Sequence, residues 1–270
     1  MRGLRGKNVL VTGGSSGIGQ AIAVRFAEHG ANVAINYLAG EVEEGAETEQ
    51  QVQDCAKKVR GEGVKDVLVQ GDVSKEDDVV GMVAETVEGL GGLDVLVNNA
   101  GIQISSPSHE LDVDAFDKVI AVNLRGAFLC AREAIKRFLE AGSAGSIVNV
   151  SSVHQIIPKP DFLGYSASKG GMENLTRTLA LEYAGRGIRV NSIGPGATVT
   201  PINRAWIDDP DKREQVESHI PMARAGTADE MAGVTCFLAS DDAGYITGQT
   251  IFVDGGLTLY PSFREPWSSE

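Results

Sequence analysis

The sequence has few cysteines, and its N-terminal apolar segment is short. The three cysteines are an odd number and lie far apart without metal-ligand spacing, so they predict neither a disulfide framework nor a metal site. A spanning helix needs about 20 consecutive apolar residues, whereas only a short apolar strand precedes Gly13. These absences predict a protein of the reducing cytoplasm that does not enter the membrane.

Positive charge is also scarce. The chain has 24 Lys and Arg residues against 37 Asp and Glu residues, a formal net charge of -13 at pH 7. A protein with this balance repels nucleic-acid phosphates and anionic lipid. We therefore expect a small-molecule substrate, with neither nucleic acid nor a membrane surface as a partner. A length of 270 residues and 42% hydrophobic residues are enough for one well-filled domain.

Short runs rich in Val, Ile and Leu alternate along the chain with longer segments of helical period. The runs predict strands at residues 8–12, 32–36, 66–70, 94–98, 146–151, 188–193 and 249–253. The longer segments predict helices at residues 18–29, 47–60, 74–90, 114–141, 165–184 and 228–239. This alternation predicts an α/β fold, a single doubly wound Rossmann-type domain with a seven-stranded parallel sheet flanked by helices. The least regular stretches, residues 38–48 and 195–227, are long enough for functional loops.

A glycine-rich turn joins the first predicted strand to the first helix. Glycines allow a sharp turn and a close approach to a pyrophosphate, and the free N–H groups of a helix start attract the anion. A tight turn without a ligand is the alternative, because a glycine-rich string alone is weak evidence. The candidate phosphate-binding residues are Gly13, Ser15, Ser16, Gly17, Ile18 and Gly19.

Tyr165 and Lys169 stand four residues apart at the start of a predicted helix, so their side chains share a face. Lowering the pKa of a phenol from about 10 to about 7 takes roughly 4 kcal/mol, which a neighbouring ammonium can supply. The pair therefore predicts a proton-transfer group. Ser152, just after the fifth strand, could orient a substrate oxygen. Taken singly, these residues could instead be a surface tyrosine, a solvated lysine and a helix cap.

In combination, these motifs resemble the short-chain dehydrogenase/reductase family. The resemblance rests on Thr12 to Gly19 as T-G-x-x-x-G-x-G, Asn98 to Gly101 as N-N-A-G, and Tyr165 to Lys169 as Y-x-x-x-K. It implies a nicotinamide cofactor, catalysis by Ser152, Tyr165 and Lys169, and a water-holding role for Asn123. Together with the strand ends, the resemblance gives further candidate cofactor contacts. They are Tyr37, Asp72, Val73, Asn99, Ala100, Gly101, Pro195, Gly196, Thr198 and Thr200. Asn98 and Asn99 could alternatively serve only as hydrogen-bonding residues at the strand end.

The choice between NAD and NADP depends on residues after the second strand. Four acidic residues, Glu41, Glu43, Glu44 and Glu47, follow that strand, and no basic residue appears before Lys57. A 2′-phosphate would find no counter-charge there, and Ser16 is neutral. NAD is therefore the predicted cofactor, with NADP left open. The alternative is that the acidic run is simply a solvated face.

The second half of the chain resembles, within this family, the glucose 1-dehydrogenases. The resemblance is carried by Ser-Ser-Val-His at 151–154, Gly-Pro-Gly-Ala at 194–197, Thr-Pro-Ile-Asn at 200–203, and a tail with Tyr260 to Phe263. It implies oxidation of D-glucose to the gluconolactone, substrate contacts from His154 and Asn203, and a homotetramer. The substrate loop would span about 195–227 and the tail 257–270.

Two other functions remain open from the sequence alone. One is reduction of another carbonyl, such as a 3-oxoacyl conjugate or a small ketone, which should favour NADPH and basic residues around the site. The other is a non-catalytic dinucleotide sensor, against which the intact Tyr165 and Lys169 argue.

Overall fold

A computed structural model describes residues 1–58 and 63–259 of the chain. Seven parallel strands form one sheet in the order β3-β2-β1-β4-β5-β6-β9. A separate pair, β7 and β8, is also parallel. The strands in chain order are Asn8–Val11, Asn32–Tyr37, Asp66–Gln70, Val95–Asn98, Gly145–Val150, Ile188–Pro195, Thr198–Val199, Gly226–Thr227 and Thr250–Val253. The predicted seven-stranded parallel sheet is confirmed.

Nine α-helices connect and cover these strands within the described residues. They are, as α1 to α9, Gly17–Glu28, Val42–Lys58, Glu76–Leu90, Val113–Ile120, Gly126–Ala141, Leu163–Tyr183, Arg204–Ile207, Pro210–Ser218 and Ala228–Ala239. No helix in the part of the chain that the structure describes is long and apolar enough to cross a bilayer. Residues 260–263 of the tail, which carried part of the resemblance, lie outside the described residues.

Two apolar layers hold the helices on opposite faces of the sheet. Side chains of β1 illustrate the division, because Val9 and Val11 belong to one buried cluster and Leu10 to the other. The first cluster includes Phe26 of α1 and residues of α2 and α9, and the second includes Phe138 of α5 and residues of α3 and α6. Strands buried on both faces have no polar alternation, which is why unbroken Val and Ile runs predicted them.

The strand order reverses beside β1, since the chain winds outward to β2 and β3 and then returns to β4 on the other side. In an open parallel sheet, the loops on either side of such a reversal leave a crevice at the carboxyl ends of the strands. The glycine-rich turn after β1 and the segment after β4 therefore border the same crevice. The topology brings together motifs that are far apart in the sequence.

The single helix predicted at residues 114–141 is two helices separated by a turn of π-helix at Ala121–Arg125. A π-turn adds a residue to the helical circuit, and such turns are frequent at functional sites. Asn123 lies in this turn and is fully buried. Apolar periodicity does not reveal a single inserted residue, so the sequence did not predict the interruption.

The two stretches that the sequence left irregular contain regular structure. Helix α2 begins at Val42, inside the stretch 38–48. Residues 195–227 contain α7, α8 and the β7–β8 pair, and the Asp209 carboxylate caps α8 by accepting from the Lys212 N–H. An Asp followed by Pro210 is a helix-start signal that could have predicted α8.

Helix α1 starts tightly against the turn that follows β1. A Cβ atom at Gly19 would lie 2.1 Å from the Gly13 carbonyl oxygen and 2.4 Å from Nδ2 of Asn99. By contrast, a Cβ atom at Gly81, in the middle of α3, would meet nothing within 4 Å. These two helical glycines therefore differ in packing and not in secondary structure.

We predict that Gly19→Ala lowers the free energy of unfolding by about 1 to 3 kcal/mol, because the backbone of the turn must move to admit the methyl group. Gly81→Ala, the matched control, should raise it by up to about 1 kcal/mol through helix propensity. Denaturant unfolding of both variants measures the difference. An unchanged or more stable Gly19→Ala protein contradicts the tight packing described above.

Candidate active site

A cavity of about 1310 Å³ lies at the carboxyl ends of the central strands. Ligand pockets usually measure about 300 to 1,000 Å³, so this cavity is large enough for more than a small substrate. Most of the predicted site residues line it: Gly13, Ser15, Ser16, Gly17, Ile18, Asp72, Val73, Asn99, Ala100, Gly101, Ser152, His154, Tyr165, Lys169, Pro195, Gly196, Thr198, Thr200 and Asn203. Gly19, Tyr37 and Asn123 are not part of its lining.

The turn between β1 and α1 has the geometry of an anion cradle. Gly13 and Gly17 both have φ +58, a conformation that L side chains rarely adopt. Ser16 is the N-cap of α1 and makes no side-chain capping bond, and the first helical turn carries no acidic residue. The N–H groups of this helix start thus keep their partial positive charge for a ligand.

Asn36 and Asn99 hold this turn in place. The Gly13 N–H donates to Oδ1 of Asn36 at 3.0 Å, and Nδ2 of Asn99 donates to the Thr12 and Gly13 carbonyls at 3.0 and 2.9 Å. Asn99 therefore has the strand-end role that the sequence left open, and it also lines the cavity. Asn98 is buried and bonds to Ala127 and Asn149, outside the cavity lining.

The cavity wall after β2 differs from the sequence prediction. Tyr37 packs beside Gly45 of α2, while Asn36, Leu38 and Glu41 line the cavity. Successive residues of a strand point to opposite sides, so the neighbours of Tyr37 can face a cavity that Tyr37 does not reach. Gly19 packs against the Gly13 carbonyl oxygen and Nδ2 of Asn99, and it likewise is not part of the cavity lining. The cofactor contacts predicted for Tyr37 and Gly19 stay predictions.

Glu41 is a cavity residue whose individual role the sequence did not predict. Its Oε2 accepts a hydrogen bond from Ser15 Oγ at 2.7 Å and one from the Leu38 N–H at 3.3 Å. A carboxylate thus joins the segment after β2 to the glycine-rich turn. The acidic run from Glu41 to Glu47 was the available signal, but a sequence does not say which of several carboxylates turns inward.

At the centre of the cavity, Tyr165 lies beside Lys169 and Ser152. The Lys169 Nζ is 5.6 Å from the centroid of the Tyr165 ring and donates to the Val150 carbonyl at 2.8 Å. The Tyr165 side chain is hydrogen-bonded with that of Ser152. Helix α6 thus places the tyrosine and lysine on one face, as their spacing predicts.

Asn123 ties this centre to the segment after β4. Its Oδ1 accepts from the Ile102 N–H at 2.8 Å, and its Nδ2 donates to the Ile102 carbonyl at 2.9 Å and to Ser168 Oγ at 3.1 Å. Ser168 in turn donates to the Tyr165 carbonyl at 2.7 Å. The amide of Asn123 is therefore occupied by protein groups, and its proposed water-holding role stays a prediction.

Burial dominates the electrostatics of the centre. Burial raises the pKa of Tyr165, and its hydrogen bond with Ser152 opposes this only in part. Burial also lowers the pKa of Lys169 to about 8, so the lysine is still mainly an ammonium at pH 7. In the protein by itself, desolvation of the phenolate dominates. The lowering of the phenol pKa that the sequence predicts stays a prediction for the cofactor-bound enzyme.

The segment after β5 and residues 195–227 contribute a further part of the cavity lining. We call it the substrate end, because the sequence predicts substrate contacts from His154 and Asn203 there. Its polar and aromatic lining residues include Ser152, His154, Lys159, Asn203, Trp206 and His219. Asn203 donates to the Thr198 carbonyl at 2.9 Å, which braces the loop. Sequence reasoning did not select Trp206 or His219, since no pattern links α7 and α8 to the cavity.

His154 is oriented by its neighbours. Its Nδ1 lies 3.0 Å from the Ile157 carbonyl, and a carbonyl accepts, so Nδ1 carries the proton and Nε2 keeps its lone pair. Burial lowers the pKa of His154, which keeps the ring neutral at pH 7. The ring stands edge-on to Tyr165 with centroids 6.1 Å apart. His154 therefore has the position and the form to accept from a hydroxyl near Tyr165.

Comparisons with known proteins agree with this geometry. The family model described as "Enoyl-(Acyl carrier protein) reductase" matches residues 13–258. A glucose 1-dehydrogenase from Gluconobacter oxydans is 54% identical over 98% of this chain and 96% of that protein. A 3beta-hydroxysteroid dehydrogenase 1 from Eggerthella lenta is 47% identical over 97% of each chain.

A solved structure agrees as well. A mutant of a short-chain dehydrogenase/reductase from Serratia marcescens superposes with a TM-score of 0.85 at 32% identity, covering 95% of this chain and 99% of that one. The relatives are named dehydrogenases and reductases, so this chain is an enzyme and not the non-catalytic sensor that the sequence alone left open. The chain belongs to the short-chain dehydrogenase/reductase family of oxidoreductases, which bind a nicotinamide cofactor.

Proposed function

We propose that this enzyme oxidises D-glucose at its anomeric carbon to the gluconolactone, with NAD as the hydride acceptor. The observation that carries this proposal is the placement of Tyr165, Lys169 and Ser152 together in a cavity whose other walls are a phosphate cradle and a polar substrate end. The 54% identity to a glucose 1-dehydrogenase supports the choice of sugar. The 47% identity to a 3beta-hydroxysteroid dehydrogenase makes a hydroxysteroid the second candidate.

Each side chain at the centre of the cavity has a separate role in the proposed alcohol oxidation. Bound NAD supplies an acceptor for the hydride that leaves carbon and a positive charge close to the phenol. Tyr165 accepts the proton of the substrate hydroxyl, and Ser152 holds the same oxygen in position. The Lys169 ammonium stabilises the tyrosinate, and Asn123 supports the helix that carries both residues. Because burial raises the pKa of Tyr165, the tyrosinate depends on this nearby positive charge.

The substrate end suits a polyhydroxylated molecule. The neutral His154 offers a lone pair at Nε2 to a hydroxyl donor, and the Oδ1 of Asn203 can accept another. Buried hydrogen-bonding groups select substrates that satisfy them and disfavour analogues without hydroxyls. We therefore assign residues 195–227 as the substrate loop of a single dinucleotide-binding and catalytic domain covering residues 1–270. The tail 257–270 is assigned to the same domain.

With NAD present, we expect D-glucose to be turned over faster than other neutral aldoses, polyols, 3β-hydroxysteroids and small ketones. Tyr165→Phe should lower kcat for the best substrate by about 10²-fold to 10⁴-fold, because general acid–base catalysis contributes this much. Its dissociation constant for NAD should not change. Absorbance of the reduced cofactor measures the first quantity and fluorescence titration the second.

Tyr183→Phe is the matched control, since Tyr183 ends the same helix and does not line the cavity. Full activity of Tyr165→Phe would reject the assigned proton transfer. A hydroxysteroid that exceeds D-glucose in kcat/KM would reject glucose and select the second candidate.

We propose NAD as the preferred cofactor because of Glu41. Its carboxylate projects beside the phosphate turn at the end of β2, where the adenosine ribose is held in this fold. A 2′-phosphate there would meet a negative charge, and residues 38–41 contain no basic side chain. Among the described cavity-lining residues there is also no arginine.

Glu41→Gln should raise kcat/KM for NADP by about tenfold, since removing one repulsive charge at this range is worth roughly 1.4 kcal/mol. The value for NAD should change less, because the amide oxygen can still accept from Ser15. Glu43→Gln, an exposed neighbour outside the cavity, serves as control. A wild-type enzyme that prefers NADP, or a Glu41→Gln variant with an unchanged NADP value, contradicts the proposal.

We also propose a homotetramer assembled through the long helices and the last strand of the sheet. Exposed apolar side chains support this assembly: Phe128 of α5 is 43% exposed, Leu181 of α6 is 87% exposed and Tyr245, before β9, is 105% exposed. Apolar side chains grouped on the outer face of long helices are common at subunit interfaces.

Light scattering on the eluting protein should give four times the mass of the chain, and Phe128→Asp should give a smaller species because it places a charge in an apolar contact. Val80→Asp, at a side chain 41% exposed on α3, is the matched control and should leave the mass unchanged. A monomeric wild-type protein would refute the assembly.

A further inference from the structure

The substrate end of the cavity has the opposite charge from the rest of the protein. The chain has a net charge of -13, yet the two carboxylates that line the cavity within residues 1–58 and 63–259 are Asp72 and Glu41. They follow β3 and β2, on the far side of β1 from β5 and β6, which carry the substrate end. At the substrate end itself, the described lining contains the cation Lys159 and no carboxylate.

Lys159 is placed at the mouth of this end by a well-defined segment. Its Nζ is 3.8 Å from the centroid of the Phe162 ring, a cation–π contact that orients the ammonium. The intervening Asp161 has φ 66, and its carbonyl accepts from the Ser106 N–H at 2.8 Å. This bond anchors the segment across the mouth to the chain after β4. Lys159 is exposed as a whole residue, and its contact with Phe162 keeps the ammonium beside the cavity that it lines.

The environment of Lys159 leaves its charge without an anionic partner. Among the ion pairs of the described residues, none includes Lys159. Partial burial lowers the pKa of Lys159, and the lysine charge in turn acts on His154. His154 lies next to Tyr165. The Lys159 charge therefore acts on His154, which is itself the neighbour of Tyr165.

We infer that Lys159 is a specificity-determining residue that binds a carboxylate or phosphate group carried by the substrate at the end remote from the reacting hydroxyl. This inference rests on the proposed function, because it takes the substrate to be a polyhydroxylated molecule with its alcohol at Tyr165. It deepens that function by naming a substrate class, anionic sugars. An anion at this place completes an ion pair for a partly desolvated cation, whereas a neutral sugar leaves the cation unpaired.

Three aldoses share the same anomeric centre and test this inference: D-glucose, D-glucuronate and D-glucose 6-phosphate. Lys159→Met keeps the length and the apolar stem of the side chain and removes the charge. It should lower kcat/KM for an anionic sugar by about tenfold or more, mainly through KM, and that for D-glucose by less than about twofold. A loss confined to D-glucuronate assigns a carboxylate, and a loss confined to D-glucose 6-phosphate assigns a phosphate.

Two further variants separate charge from folding. Lys159→Arg keeps the charge and should retain most of the activity with the anionic sugar. Lys212→Met removes a lysine of α8 that is paired with Asp209 at 3.2 Å and does not line the cavity, so it should change none of the three values. Equal kcat/KM values for wild type and Lys159→Met with both anionic sugars would overturn the inference while leaving glucose oxidation intact.

The anion site at Lys159 can be tested even if the enzyme does not oxidise glucose. If none of the three sugars is oxidised, calorimetric titration of D-glucuronate and D-glucose 6-phosphate into the NAD-saturated enzyme replaces the rate assay. Binding that weakens by about tenfold in Lys159→Met supports the anion site in an enzyme of another alcohol. The absence of binding, or binding equal in both proteins, overturns it.

Discussion

The site depends on the reversal of strand order beside β1. Two halves of the chain wind away from this point, so the turn after β1 and the segments after β4 and β5 converge on one crevice. Hydrogen bonds with the side chains of Asn36 and Asn99 hold the backbone of the glycine-rich turn, which forms one wall of the crevice. Every assigned role follows from residues that this topology places at the carboxyl edge of the sheet.

The chemistry at the centre requires a charge balance that the protein sets only in part. Burial opposes the ionised forms of both Tyr165 and Lys169, raising the pKa of the phenol and lowering that of the ammonium to about 8. The tyrosine is therefore held as a neutral phenol by the protein alone, and a positively charged group near it shifts the balance toward tyrosinate. In the proposed mechanism, this arrangement would couple proton transfer to the presence of an oxidised nicotinamide ring, so that reaction would await binding of both substrates.

Charge is distributed unevenly along the cavity. Glu41 lies beside the glycine-rich turn and Lys159 at the substrate end, while the chain as a whole has a net charge of -13. Local charges act over a few ångströms within a partly desolvated cavity, whereas the net charge is screened over about 8 Å at physiological ionic strength. The net charge therefore predicts no nucleic-acid partner, but it says little about the charge of the substrate.

The sequence by itself determined the sheet, the main helices and the placement of Tyr165 and Lys169 on one helical face. Runs such as Val9 to Val11 are apolar because both faces of the sheet are buried. Tyr165 and Lys169 share a helical face because residues four apart in a helix are neighbours on its surface. Tertiary structure alone decided that Tyr37 turns away while Glu41 turns in, and that residues of α7 and α8 reach the cavity. It also placed the π-turn that holds Asn123. These features depend on contacts between segments distant in sequence, and local periodicity carries no information about which side chain a distant segment will meet.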